Sequence, residues 1–217
     1  MNDVDVALKA SLQDGVSLLN LPMTENQQSL LLEYVQRLIH WNKAYNLVSC
    51  SDPQDLIYRH LLDSLSVFPW LEGSRCVDVG SGAGLPGIPL AIMCPERRFL
   101  LLDSNGKRCK FLYQTKLALQ LENVEVHRGR CEQYQPAQGF DNVISRAFAS
   151  LADFIQFSSH LVTDNGRLLA MKGQLTEQEL CEVHLPYNVA ACHQLDVPGL
   201  DAERCLVVIS RLSGERN

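Results

Sequence analysis

The sequence predicts an α/β protein with a seven-stranded, mostly parallel sheet, ending in an antiparallel pair and preceded by a helical extension. Three observations predict it. Strand-like and helix-like segments alternate from residue 75 onward, and each strand–helix–strand unit implies a right-handed crossover between parallel strands. The last two strand-like runs are joined only by Pro198-Gly-Leu-Asp-Ala-Glu203, which is too short for a helix and makes them an antiparallel pair. The residues before position 72 carry a helical period instead. Residues 1–72 are expected to form a helical extension packed on a core domain of residues 73–217.

Within the extension, Val6, Leu8, Leu12, Val16 and Leu19 form a loose helical stripe that Gly15 weakens. Thr24 with Gln27 is a capping-box start, and Leu30, Leu31, Tyr34, Leu38 and Trp41 follow at helical spacing. Asp52-Pro53 starts another helix, with proline at its first position and Leu56, Leu61, Leu62, Leu65 and Phe68 as its apolar face. In the core domain, strands are expected at 75–79, 98–103, 123–127, 140–145, 166–171, 188–196 and 204–210. Helices are expected at 86–94, 105–120, 150–162 and 176–184.

Hydrophobic residues make up 46% of the chain and charged ones 20%, the balance of a soluble globular protein. No apolar run is long enough to span a membrane. The start Met1-Asn-Asp-Val-Asp is acidic, where a signal peptide is basic. The eight cysteines contain no C-x-x-C pair. Cys76, Cys94 and Cys205 fall on apolar positions, so reduced thiols, a cytoplasmic location and no structural metal are expected. A net charge of −6 argues against nucleic acid as a partner, but its distribution reverses that. Eight basic residues lie between Arg97 and Arg130, against only Asp103, Glu122 and Glu125. A solvated helix face accounts equally for Lys110 and Lys116.

Chemistry is concentrated in Arg75-Cys-Val-Asp-Val-Gly-Ser-Gly-Ala-Gly-Leu-Pro-Gly87. It reads as a buried strand, a glycine turn and a helix start. Gly80, Gly82 and Gly84 let the backbone turn sharply against a ligand, and the turn amides with the helix N-terminus form a polar cradle. Asp103 follows at the tip of the next strand, placed to accept both hydroxyls of a ribose. Gly82-Ala-Gly84-Leu-Pro-Gly87 formally matches the dinucleotide fingerprint, but counted from the first turn glycine, Gly80, its third glycine position is Leu85. Asp78 would repel a pyrophosphate and suits a cofactor carrying a sulfonium and an ammonium. S-adenosylmethionine has both, and D-x-G-x-G-x-G with a ribose acid one strand later resembles the class I methyltransferase pattern. A purely structural glycine turn, or a nucleotide site of another kind, remains the alternative at this point.

Further motifs occur in order: Trp41-Asn-Lys-Ala-Tyr-Asn-Leu47, Arg59-His-Leu-Leu-Asp-Ser64, Leu102-Asp-Ser104 with Lys107-Arg108, Ile144-Ser-Arg-Ala-Phe-Ala149 and Met171-Lys-Gly173. Together with the glycine turn they resemble the bacterial 16S ribosomal RNA guanine-N7 methyltransferases, also called the glucose-inhibited division protein B family, from about residue 24 to the end. The resemblance implies the class I, Rossmann-like methyltransferase fold. It also implies transfer of a methyl group from S-adenosylmethionine to guanine N7 in the decoding-region hairpin of 16S rRNA. It carries Gly80 and Leu85 over as cofactor contacts in the turn. Cys131 and Glu132 carry over against the adenine, and Arg146 as the residue completing the site and orienting the reactants. Asp78, Gly82 and Asp103 join the cofactor set from general class I logic.

Guanine N7 carries a lone pair and no proton, so no general base is expected; proximity and orientation suffice. Lys43, Lys107, Arg108, Arg128, Arg130 and Lys172 are the candidate RNA contacts. Arg128 and Arg130 with His127 read equally as an exposed basic strand end. Trp41 and Tyr45 are either base-stacking platforms or core. Asn42 and Asn46 either touch RNA or cap the helix, and His60 with Asp63 reads as a buried structural pair before a catalytic one. The expected partner is 16S rRNA or the small ribosomal subunit, with no membrane, and the protein itself is expected to be a monomer. Competing readings are a methyltransferase for a protein or small molecule, a nucleotide-dependent oxidoreductase, and a noncatalytic RNA-binding module.

Overall fold

The computed structural model describes residues 3–50 and 52–212. The N-terminal part contains α1 (Asp3–Leu18) and α2 (Glu25–Tyr45). A continuous helical run follows, made of α3 (Pro53–Leu56), a π-helical segment (Ile57–Leu62) and α4 (Asp63–Leu65). The α/β part then alternates β1 (Arg75–Val79), α5 (Gly87–Met93), β2 (Arg98–Asp103), α6 (Gly106–Ala118), β3 (Val124–Arg128) and β4 (Phe140–Ser145). It ends with α7 (Leu151–Ser158), β5 (Val162–Lys172), α8 (Glu177–Cys181), β6 (Tyr187–Gln194) and β7 (Cys205–Arg211).

The sheet order is β3-β2-β1-β4-β5-β7-β6. The first five strands pair in parallel, and β7 pairs antiparallel with both β5 and β6. The chain reverses its winding between β1 and β4, the place where open α/β sheets hold ligands at their carboxyl ends.

The expected strands all form. β5 starts earlier than expected, at Val162 rather than 166. Thr163-Asp-Asn-Gly166 reads as a turn, but a register shift opposite Phe140 and Asn142 absorbs it within the strand. A side chain at Gly166 would meet the Phe140 carbonyl at 2.7 Å, which explains the glycine there.

Alternate residues of the central parallel strands feed two apolar layers, as the two-residue strand period requires. Cys76, Phe99 and Leu101 join the N-terminal helices, α5 and α6 on one face; Val77, Val79, Leu100 and Leu102 pack with α7 on the other. The extension is continuous with the first layer, since Leu12, Leu31, Tyr34 and Leu38 share a cluster with Ile88, Phe111 and Leu112. The Thr24–Gln27 capping box is present, and the Gln27 amide also donates to the Ile92 and Met93 carbonyls at the end of α5. Asp52 caps α3 by accepting from the Gln54 and Asp55 amides.

Gly15 plays a different part from the weak point the stripe suggested. A Cβ there would lie 2.2 Å from a Leu62 methyl, so glycine lets α1 approach the π-helical segment closely. Leu8, Leu12 and Val16 of the stripe are buried, and Val6 is exposed.

Candidate functional site

The turn after β1 is built on left-handed backbone. Gly80, Gly82 and Gly84 have φ of 71°, 58° and 88°, values that strain any residue with a Cβ. The Gly80 and Ser81 amides donate to the Leu102 carbonyl at 2.8 and 3.2 Å, tying the turn to β2. Asp103 adds a second tie: its Oδ2 accepts from the Gly82 amide at 2.9 Å and its Oδ1 from the Asn105 amide at 2.7 Å. From the other side, the buried Tyr34 hydroxyl donates to the Ala83 carbonyl at 2.8 Å.

These ties shape a cleft of about 250 Å³ whose walls include Gly80, Asp103, Arg108, Arg130, Cys131 and Glu132. Phe148 and Phe157 supply an apolar side. Cys131 and Glu132 sit on a 3-10 turn pinned by the His160 ring, whose Nε2 lies 3.1 Å from the Cys131 and Tyr134 carbonyls. The Cys131 thiol donates to Glu132 Oε2, and burial pushes it up to about 11, so it stays neutral. The Glu132 carboxyl is held below its usual range, chiefly by its own backbone amide and then by that thiol.

This cleft suits S-adenosylmethionine. Each Asp103 oxygen accepts one backbone amide and keeps a lone pair free for a ribose hydroxyl. The Asp78 carboxylate is buried beneath the turn, with Oδ2 accepting from the Gly87 amide at 2.9 Å and Oδ1 without a donor among the described residues. An orphaned buried acceptor fits a cationic or N–H-bearing ligand group. Burial raises the Asp78 pKa to about 7, against the opposing effect of the Gly87 amide. Asp78 is 1% exposed and absent from the residues lining the cleft, so it stands behind the turn. Leu85 is likewise buried in the core, so its side chain braces the turn from below.

A second cleft, of about 360 Å³, opens beside the first; Ala147 lines one and its neighbour Arg146 the other. Arg59, His60, Arg146, Lys172 and Arg204 line it. At its base lies Asp63, whose Oδ2 is 2.9 Å from Arg146 Nη1 and whose Oδ1 is 3.1 Å from Arg204 Nε. His60 Nδ1 lies 3.5 Å from Arg146 Nη2. Burial, reinforced by Arg146, Arg204 and Arg59, lowers the His60 pKa to about 4 and keeps the ring neutral. His60 and Asp63 thus meet through Arg146 and act with it as a cluster. Lys172 is less free than a phosphate contact requires, being held by Glu179 at 2.7 Å and by the Ala149 carbonyl.

The remaining basic candidates are dispersed. Lys107 and Arg108 are exposed in the first turn of α6, and Arg108 Nη1 reaches to 3.6 Å from Asp103 Oδ2. Arg128 is exposed beside Gly106 at the start of α6. Lys43 lines a separate groove with Asn42, Asn46 and Val48, where the Asn42 side chain binds the Cys50 carbonyl and the Val48 amide. Trp41 stacks on Tyr45 and meets Phe111 edge-on, so it is packed against the core. Among the described residues, no group of three or more His, Cys, Asp or Glu is placed to hold a metal, and no helix is long and apolar enough to cross a membrane. Arg204 escaped the sequence reading. It sits just before β7 after an acidic connection, and only its tertiary contact with Asp63 gives it meaning.

Comparison with known proteins settles which class of site this is. Residues 27–207 match the family described as rRNA small subunit methyltransferase G. The chain belongs to this family. It is 50% identical over 201 residues to Ribosomal RNA small subunit methyltransferase G of Stutzerimonas stutzeri, covering 92% of this chain and 94% of that one. A relative of the same name from Shigella dysenteriae is 50% identical over 189 residues, covering 87% and 91%. Among solved structures, the fold resembles mitomycin 7-O-methyltransferase MmcR, with a TM-score of 0.58 at 13% identity over 85% of this chain and 68% of that one. It also resembles coclaurine N-methyltransferase, with a TM-score of 0.56 at 13% identity over 89% and 73%. The fold is that of class I, Rossmann-like methyltransferases, and this member of the rRNA small subunit methyltransferase G family is an S-adenosylmethionine-dependent enzyme of rRNA methylation. The oxidoreductase and noncatalytic readings fall away.

Proposed function

We propose that the enzyme methylates N7 of a guanine in 16S rRNA, with cofactor in the cleft walled by Asp103, Cys131 and Glu132 and the RNA entering over the Arg146 cleft. The carrying observation is the adjacency of the two clefts across Arg146 and Ala147, beside the glycine turn. When bound, S-adenosylmethionine supplies a methyl carbon on a positively charged sulfur that departs as a neutral thioether. The Asp103 oxygens would hold the ribose diol, and the Cys131–Glu132 turn would lie along the adenine. Arg146 and its neighbours would orient the guanine through O6 or an adjoining phosphate, both suited to a guanidinium fork.

No side chain has to remove a proton, because N7 attacks with its own lone pair. The residues of the two clefts would have only to hold the methyl donor and N7 in line. The neutral His60 fits that economy: it is no proton store near neutrality. Action as a monomer belongs to the same proposal. All eight cysteines are free thiols, which supports a reducing cytoplasm. The test is transfer of labelled methyl from S-adenosylmethionine to small subunits and to naked 16S rRNA from a strain lacking this gene, with the modified base mapped. Label in N7-methylguanine at one site supports the proposal; label elsewhere, or none, overturns it.

A further inference from the structure

We propose that Asp63 is a positioning residue, one buried carboxylate that fixes the guanidinium groups of Arg146 and Arg204 so that both present donors to the RNA. The inference rests on the RNA-methylation reading above. The Asp63 side chain is 2% exposed, whereas both arginines are 27% exposed and line the cleft. The arginines come from the strands on either side of β5, one following β4 and one preceding β7. Two guanidiniums drawn into one cleft repel each other, and the carboxylate between them offsets that repulsion. Each arginine has five N–H donors and commits only some. Arg146 gives Nη1 to Asp63 and leans Nη2 on His60; Arg204 gives Nε to Asp63 and Nη1 to the Glu203 carbonyl. The donors left over serve an acceptor in the cleft.

The backbone beneath the cluster is specialised as well. Ile57–Leu62 is π-helical, a geometry that proteins keep in single turns and often at functional sites. Here it carries His60 into the cleft wall and passes directly into Asp63, while the Ser64 hydroxyl bonds the His60 carbonyl at 2.6 Å. Arginine in place of lysine follows from the same logic: one edge of a planar fork is held while another stays free.

The test is Asp63→Asn, which keeps the shape, removes the charge and faces one arginine with an amide N–H. Methyl-transfer kcat and KM for unmethylated ribosomal substrate are measured beside calorimetric S-adenosylmethionine affinity and a thermal melt. If Asp63 merely adds negative charge near RNA, its loss strengthens attraction to phosphate and leaves kcat within about twofold of wild type. If it positions the arginines, kcat falls by at least about tenfold while KM rises by no more than about twofold, since the net positive charge grows. An unchanged kcat, or a loss that only tracks a smaller folded fraction, overturns the proposal. Should Asp63→Asn not fold, Arg146→Lys and Arg204→Lys carry the test at constant charge. A kcat loss of at least about tenfold in each supports positioning, and kcat within about twofold of wild type in both overturns it. Wild-type enzyme that leaves ribosomal substrate unmethylated defeats the RNA reading instead, so the two failures are distinct.

Discussion

The Tyr34 hydroxyl donates to the Ala83 carbonyl at 2.8 Å, so a residue of the helical extension fastens the centre of the glycine turn. Tyr34 is 1% exposed, and burial drives its phenol pKa upward, keeping it a donor at any working pH. Tyr34→Phe leaves the Ala83 carbonyl buried without that partner. Stability should fall by about 1–2 kcal/mol, read as a lower urea midpoint with unchanged slope. S-adenosylmethionine affinity should weaken as well, because the cradle loses its outer brace. Stability lost with cofactor affinity intact would mean that the turn keeps its shape without α2.

Asp103 joins the turn, the start of α6 and the proposed cofactor cleft through one carboxylate. Asp103→Ala frees the Gly82 and Asn105 amides and deletes the proposed ribose acceptor. Calorimetry should show S-adenosylmethionine binding weakened by about 1.5–3 kcal/mol, or roughly 10–150-fold. An affinity within about threefold of wild type would place the ribose elsewhere.

Asp78 gives a pH signature. Burial lifts its pKa from 3.8 to about 7, so between these values the folded protein holds a proton that the unfolded chain releases. With more protons bound in the native state, this contribution to stability is full below about pH 4, falls as pH rises through 7, and is level above. His60 works oppositely, since its pKa drops from 6.5 to about 4 and its contribution is lost as pH falls through that range. Comparing Asp78→Asn with wild type cancels the His60 part. The variant should gain on wild type by urea unfolding as pH goes from 5 to 8, and a pH-independent difference would remove Asp78 as the cause.

The central strand β2 was readable as a short apolar run, Phe99-Leu100-Leu101-Leu102 before Asp103, and the edge strand β3, Val124-Glu-Val-His-Arg128, as an alternation. The glycine turn and the cleft residues Gly80, Asp103, Cys131 and Glu132 were readable through local pattern and family resemblance, and the fold brings them together. The arginine cluster was not. Asp63, Arg146 and Arg204 are scattered along the chain, and no local periodicity encodes a carboxylate shared across a sheet. The π-helical segment was hidden as well, because Leu56, Leu61, Leu62 and Leu65 satisfy an α-helical stripe almost as well. Gly15 misled for a related reason: its value lies in the Leu62 side chain pressed against it.

Lys107 and Arg108 sit side by side at the start of α6, yet the structure predicts different consequences for reversing them. Lys107 is exposed and absent from the walls of the proposed cofactor cleft, whereas Arg108 is in that wall and 3.6 Å from Asp103. Lys107→Glu should therefore weaken RNA binding alone. The slope of log affinity against log salt should fall by roughly 0.7 per lost single-strand phosphate contact, with S-adenosylmethionine affinity unchanged. Arg108→Glu should weaken both, since a second carboxylate beside Asp103 repels it and crowds the ribose end of the cleft. Fluorescence anisotropy with an rRNA fragment across a salt series, run beside cofactor calorimetry, separates the cases. Equal loss of RNA and cofactor binding in Lys107→Glu would show that this lysine maintains α6. An unchanged RNA slope in both variants would move the RNA surface to the cleft of Arg59, Arg146 and Arg204.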